Sequence, residues 1–192
     1  NTSVFITQEQ LKEIAGQYVG REITFADLNQ MIRQVNKLYA DDGQLTARAI
    51  IPPQSLDDGQ LRVVLVEAKL DGVNFTGEGE SVDEAFYRER LNLTDGETLN
   101  SPMLIEAIRR FNATSQGPQI SAGLAPGERF GTTRVDVERF EPKRFDWSLF
   151  ANNYGSEGTG YEQLGGTLNW FSPTGAADNI SAVLVGTRGS QY

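Results

Sequence analysis

The sequence predicts an α+β protein: two tandem modules of order β-α-α-β-β, each with two helices on one face of a three-stranded sheet, followed by antiparallel strands. Three observations carry this. The stretch Gly20 to Asn36 (GREITFADLNQMIRQVN) recurs without a gap at Gly96 to Asn112 (GETLNSPMLIEAIRRFN), pairing Gly20 with Gly96, Leu28 with Leu104, Ile32 with Ile108, Arg33 with Arg109 and Asn36 with Asn112. An offset of about 76 residues is the size of one small domain, so the first ~140 residues read as two copies of one module. Short β-branched segments follow the second helix of each copy. From about Phe145 the text turns Gly-, Asn- and aromatic-rich and alternates in polarity.

In the first module, Thr7 with Gln10 three residues on has capping-box spacing. Leu11, Ile14, Ala15 and Tyr18 then recur at helical intervals, and Gly20 is the expected stop. A second helix starts at Thr24, with Asp27 placed to meet its N-terminus. It carries Leu28, Met31, Ile32, Val35, Leu38 and Tyr39, and ends at Gly43. Asp41 and Asp42 sit at the unfavourable end of its macrodipole and are expected in solvent. Leu45–Ile51 reads as a strand stopped by Pro52 and Pro53, Asp57-Asp58-Gly59 as a turn, and Leu61–Glu67 as the best strand of the module. Its leading strand is missing, because Asn1 stands almost at the first helix; a chain begun or cut just inside the module is the expectation.

The second module gains its leading strand from Lys69–Phe75. Ser81 is the expected N-cap of the helix carrying Ala85, Phe86 and Leu91. Ser101-Pro102 is read as N-cap and first helical residue of the helix carrying Leu104, Ile105, Ile108 and Phe111. Ile120–Leu124 and Arg134–Glu138 form a hairpin across Pro126-Gly127.

Two helices on one face of a three-stranded sheet leave a strand edge open, and an open edge accepts an extended polypeptide through main-chain hydrogen bonds. The strand after the second helix is the expected edge: Leu45, Thr46, Ala47, Arg48, Ala49, Ile50 and Ile51 in the first module, Ile120–Leu124 in the second. Pro52 and Pro53, or the neighbouring module, are what would protect the first. Arg33 and Arg109 mark either a shared binding face or the solvent side of the second helices.

In the last fifty residues Phe145, Trp147, Leu149 and Ala151 alternate with Asp146, Ser148 and Asn152. Leu164, Gly166, Leu168 and Trp170 alternate with Gln163, Thr167 and Asn169, and Ile180–Tyr192 begins a third strand. Ten residues at ~3.3 Å, tilted about 40°, span roughly 25 Å, the apolar height of an outer-membrane barrel. A soluble meander gives similar alternation. Three strands cannot close a barrel, so exposed edges are expected to pair with another chain in a non-native oligomer, to fold back, or to be disordered.

The chain has 17 Lys and Arg against 26 Asp and Glu, a net charge of −9, and its basic residues never form a run of three, so no nucleic-acid partner is expected. With no Cys and no His it has no disulfide, thiolate site or cysteine nucleophile, and lacks the usual base of a Ser triad and the commonest zinc ligand. No cofactor, metal or catalytic residue is expected. GEGES (Gly77–Ser81) and GSEGTG (Gly155–Gly160) lack the following Lys and the βαβ context of a phosphate loop and read as turns.

Three stretches carry a family resemblance. RAIIPPQSLDDGQLRVVLVEAKLDGV (Arg48–Val73) is similar to the signature closing the first polypeptide-transport-associated (POTRA) domain of two-partner secretion transporters of the haemolysin-activator type, with Ala68 where that family usually has Gly. LAPGERFGTTRVDVE (Leu124–Glu138) resembles the end of the second POTRA domain, and FANNYGSEGTGYEQLGGTLNW (Phe150–Trp170) the first barrel hairpin. The resemblance implies POTRA domains at 1–70 and 71–141 and the first strands of a truncated outer-membrane β-barrel at 142–192. It further implies a Gram-negative-type outer membrane, with the POTRA domains in the periplasm and lipid around the full-length barrel. The implied partner is an unfolded, TpsA-like exoprotein, met by strand addition at Leu45–Ile51 with Gln54 and Arg33, and delivered to the pore. The alternatives are a barrel-assembly insertase, which usually carries a different number of POTRA units and lacks Pro-Pro-Gln, and a structural docking module. A carboxylate-only hydrolase would need two convergent acids, and no pair stands out.

Overall fold

The computed structural model describes residues 2–55, 59–115, 117–156, 158 and 160–188. Asp57 and Asp58 of the expected turn, parts of GSEGTG, and the end of the expected third barrel strand lie outside the described residues. The chain forms two compact units: Asn1–Asn74 with Leu91–Arg110 and Ala122–Val137, and Phe75–Arg90 with Phe111–Ser121 and Glu138–Tyr192.

In the first unit, α1 (Gln8–Gly16) and α2 (Phe25–Asp41) each open with a reciprocal capping box, Thr7 with Gln10 and Thr24 with Asp27. The Asp27 carboxyl is lowered by the Thr24 N–H and hydroxyl, and Arg21 pairs with it at 3.2 Å. Gly20 does not end α1, which stops at Gly16; it sits in the connection at φ +78°, as its repeat mate Gly96 does at +84°. The apolar stripe of α2 buries Leu28, Met31, Val35 and Tyr39. Val35 and Tyr39 pack with Ile6 and Ala49, while Leu28 and Met31 pack with Tyr18. At the C-terminus of α2, Lys37 pairs with exposed Asp41 at 2.6 Å, which offsets the unfavourable dipole. β1 (Ala47–Ile50) and β2 (Val64–Glu67) form a two-stranded antiparallel sheet with Ala47 opposite Glu67 and Ile50 opposite Val64.

The second module supplies β3 (Lys69–Glu78), α3 (Glu84–Leu91), α4 (Ser101–Thr114), β4 (Gln119–Pro126) and β5 (Thr132–Phe140), with sheet order β3-β5-β4. Two helix starts differ from expectation. α3 begins after Asp83, whose carbonyl accepts from Phe86 N–H, while Ser81 gives its own N–H to Glu141. α4 is capped by Asn100, whose Oδ1 accepts from Met103 N–H at 3.1 Å. Ser101 is instead drawn into a buried node: its Oγ accepts from Leu45 N–H at 3.1 Å and its N–H donates to Gln44 Oε1 at 3.2 Å. The turn between β4 and β5 is pinned to β3 by Asp71, which accepts from Arg129 Nη2 (2.7 Å), Glu128 N–H (2.8 Å) and Thr132 Oγ1 (3.0 Å).

Those donors hold the Asp71 carboxyl at about 2, Arg129 foremost, against an ordinary 3.8. A depressed folded-state pKa adds stability that is complete above the unfolded value and lost as pH falls toward the folded one. Acid denaturation of the wild type and Asp71→Asn is therefore expected to show a stability difference that is constant above about pH 4 and shrinks between about 4 and 2. A difference independent of pH over that range would disprove the charge's part in it.

In the second unit, Phe75, Phe86, Tyr87 and Phe111 form a ring cluster with centroid separations of 5.6–6.3 Å around Tyr87, which is fully buried. The remaining strands, β6 (Phe145–Asn152), β7 (Gln163–Phe171) and β8 (Asn179–Thr187), form a meander of order β6-β7-β8. Its register places Phe145, Trp170 and Ile180 side by side, then Trp147, Leu168 and Ala182, then Leu149, Gly166 and Leu184, then Ala151, Leu164 and Gly186. One face is thus apolar from end to end. The other carries Asp146, Asn169 and Ser181, then Ser148, Thr167 and Val183, with a hydrogen bond between the Ser148 and Thr167 hydroxyls (2.6 Å) and one donated by Ser181 Oγ to Asn169 Oδ1 (2.7 Å). Phe150 lies over Gly165, where a Cβ would stand 2.4 Å from the ring. The apolar side chains are exposed: Leu149 by 74% and Leu184 by 78%.

Candidate interaction edges

β1 is the terminal strand of its sheet on the side away from β2. Thr46 C=O accepts from Ala68 N–H across the ladder, so even-numbered residues of this strand turn their main chain toward β2 and Ala47, Ala49 and Ile51 turn theirs outward. Ala49 N–H does not point into water: it donates to Asn36 Oδ1 at 2.7 Å. At the near end, Leu45 N–H is held by Ser101. The expected edge residues therefore divide. Ala49 is buried under α2, Thr46, Ala47, Ile50 and Ile51 are half-buried, and Arg48 and Leu45 are exposed. Arg33 is exposed on α2, one turn before Asn36 on the same flank.

Gln54 has a different place. Continuing the register by two residues sets Pro52 opposite Arg62, and Pro52 has no N–H to give. The Gln54 carboxamide stands in for it: Oε1 accepts from Arg62 N–H and Nε2 donates to Arg62 C=O, both at 2.8 Å. The Pro-Pro-Gln run thus stops β1 while leaving Arg62 satisfied.

In the second module β4 is the terminal strand, and Asn112, the repeat mate of Asn36, lies against it. Its Oδ1 accepts from Ile120 N–H at 2.9 Å and its Nδ2 donates to Ile120 C=O at 2.8 Å. A residue's N–H and C=O leave a strand on the same side, so both bonds lie on the side of β4 away from β5. The sequence repeat aligned these two asparagines but carried no sign of what they bond.

Each module is also closed by a glutamate. Glu67, at the end of β2, accepts from Val4 N–H (2.9 Å), Tyr39 O–H (2.9 Å) and Ser3 Oγ. Glu141, just past β5, accepts from Ser81 N–H (2.8 Å), Val82 N–H (3.3 Å) and Tyr87 O–H (2.8 Å). Burial and the adjacent glutamate push the Tyr39 phenol up to about 12 and the Tyr87 phenol upward as well. Among the described residues no acidic or other cluster could hold a metal ion, and no helix is long and apolar enough to cross a membrane, which says nothing of a β-barrel.

Comparison with known proteins supplies two family matches. Residues 2–68 match the POTRA domain of ShlB type, and residues 131–191 match the haemolysin secretion/activation proteins ShlB/FhaC/HecB. Among curated relatives, the heme/hemopexin transporter protein HuxB of Haemophilus influenzae (strain 86-028NP) is 24% identical over 95% of this chain and 32% of its own length. The outer membrane transporter CdiB of Dickeya dadantii (strain 3937) is 25% identical over 93% of this chain and 31% of its own. The solved structure of CdiB from Escherichia coli superposes with a TM-score of 0.67 at 22% identity, covering 93% of this chain and 33% of that one, and shows the shared fold. The chain spans about a third of the length of the curated relatives it matches.

Proposed function

This chain belongs to the ShlB/FhaC/HecB family of two-partner secretion proteins, and from that premise we propose that it is the part of an outer-membrane exporter that receives the unfolded exoprotein and passes it to the barrel. It is an outer-membrane protein with its POTRA domains in the periplasm. Our division is one POTRA domain at 1–70, a second at 71–141 and barrel strands at 142–192. The partner is a TpsA-like exoprotein, taken up in extended form by strand addition beside β1. Lipid contacts the apolar face of β6, β7 and β8 once the barrel is complete.

The observation that carries this reading is the edge of β1, where alternate residues turn main-chain groups outward beneath the flank of α2 that bears Arg33 and Asn36. Strand addition there makes little demand on sequence, which suits capture of a chain before it folds. The test is an isotope-edited NMR titration of the 192-residue protein with the secretion domain of a TpsA-like exoprotein. Amides of Ala47, Ala49 and Ile51 and of the α2 flank are expected to shift together. Shifts confined to other surfaces, or none, would defeat binding at this edge.

A further inference from the structure

The two repeat-equivalent asparagines differ in a way that bears on which module accepts a strand. A carboxamide carries an acceptor and a donor in one plane, the pair a neighbouring strand offers. Asn112 uses both on Ile120, at 2.9 and 2.8 Å. Asn36 uses its acceptor on Ala49 N–H, at 2.7 Å. An incoming strand pairs with the N–H and C=O of the same residue, so it must displace two bonds at Ile120 and one at Ala49.

We propose that Asn36 and Asn112 are main-chain-mimicking plugs, and that the exchangeable one-bond plug on β1, against the two-bond plug on β4, directs an extended polypeptide to the first module. The occupant is an unfolded segment pairing with residues 47–51. Its register is bounded by Ser101 on Leu45 N–H at one end and by Pro52 and Pro53 at the other. One additional bond of ordinary net strength weakens strand addition about five-fold. The direction of binding rests on the proposed function; the plugging itself does not.

The experiment is amide hydrogen exchange on the 192-residue chain as wild type, Asn36→Ala, Asn112→Ala and Asn112→Asp, with and without reduced, carboxamidomethylated ribonuclease A. That probe is a permanently unfolded basic chain suited to a protein of net charge −9. Asn112→Asp keeps the acceptor and drops the donor, and protection of Val135 reports that each variant is folded. Without probe, Asn36→Ala is expected to speed exchange at Ala49 and Asn112→Ala at Ile120, each at least ten-fold and locally. With probe, the wild type is protected at 47–51 and not at Ile120–Leu124. Asn36→Ala then binds about five-fold tighter, and both Asn112 variants gain protection at Ile120–Leu124. Protection at 47–51 that no variant changes would overturn the plugs and leave the proposed function standing. No protection of the wild type at 47–51, with gains in the variants, would overturn the proposed function and leave the plugs. No protection in any protein would overturn the proposed function and the directing role, and exchange at Ala49 and Ile120 that the alanine variants leave unchanged without probe would overturn the plugging.

Discussion

Replacing Glu141 with alanine is expected to destabilise the second module by about 3 kcal/mol. Three donors converge on this carboxylate: Tyr87 O–H at 2.8 Å, Ser81 N–H at 2.8 Å and Val82 N–H at 3.3 Å. Tyr87 is fully buried within the ring cluster and Val82 is 2% exposed, so neither regains a full water partner when the carboxylate goes. A buried donor left unpaired costs about 1–3 kcal/mol, and Ser81 N–H, nearer solvent, costs less. A loss of that size lowers the melting temperature of a chain this long by roughly 6–12 °C. Tyr87→Phe alone removes one bond and leaves Glu141 two donors, for about 1 kcal/mol. In the Glu141→Ala background the same change removes an orphaned hydroxyl and is expected to be neutral or stabilising. Urea denaturation of the four proteins measures the coupling. Additive losses, or a Glu141→Ala cost below about 0.5 kcal/mol, would show that the closing bond is incidental. In the first module Glu67 makes the same closure on an exposed Val4 N–H, so Glu67→Ala should cost less.

What could be read from the sequence follows the range of the interaction. Both capping boxes were legible because they are closed by residues three apart, Thr7 with Gln10 and Thr24 with Asp27. The meander was legible because a period of two needs only the strand itself, and the third strand extends the same apolar face. Ser101 was misread because Asn100 and Ser101 are equally good caps by type; the choice is made 56 residues away, by Leu45 N–H needing an acceptor. Pro-Pro-Gln read as a stop and a possible contact, since the partner of Gln54 is the main chain of Arg62, eight residues on and across the ladder. The plugs and the glutamate closures were silent for the same reason. Asn36 and Asn112 are aligned by the repeat, yet their meaning depends on which strand lies at the edge, and that is a property of the sheet.

Arginine at Leu149 is expected to block assembly of the barrel, whereas arginine at Ser148, one residue away, is not. Leu149 lies mid-strand on the apolar face, in register with Gly166 and Leu184. At the midplane of a bilayer, arginine on the lipid face of a barrel costs about 2–4 kcal/mol, a 30- to 1,000-fold shift against the folded form. Ser148 lies on the opposite face, where its hydroxyl meets Thr167 and where a lumen tolerates charge. Depth adds a second contrast. Phe145 stacks on Trp170 at 5.6 Å near the end of the sheet, where arginine costs about 0–1 kcal/mol. Heat-modifiable mobility of the full-length protein, recovered from outer membranes, is the measurement, and the expected order of loss is Leu149, then Phe145, then Ser148. A meander covered by another protein surface would penalise Phe145 as heavily as Leu149, because desolvation there does not follow membrane depth. Only a wall immersed in lipid makes the cost of a charge depend first on the face and then on the height.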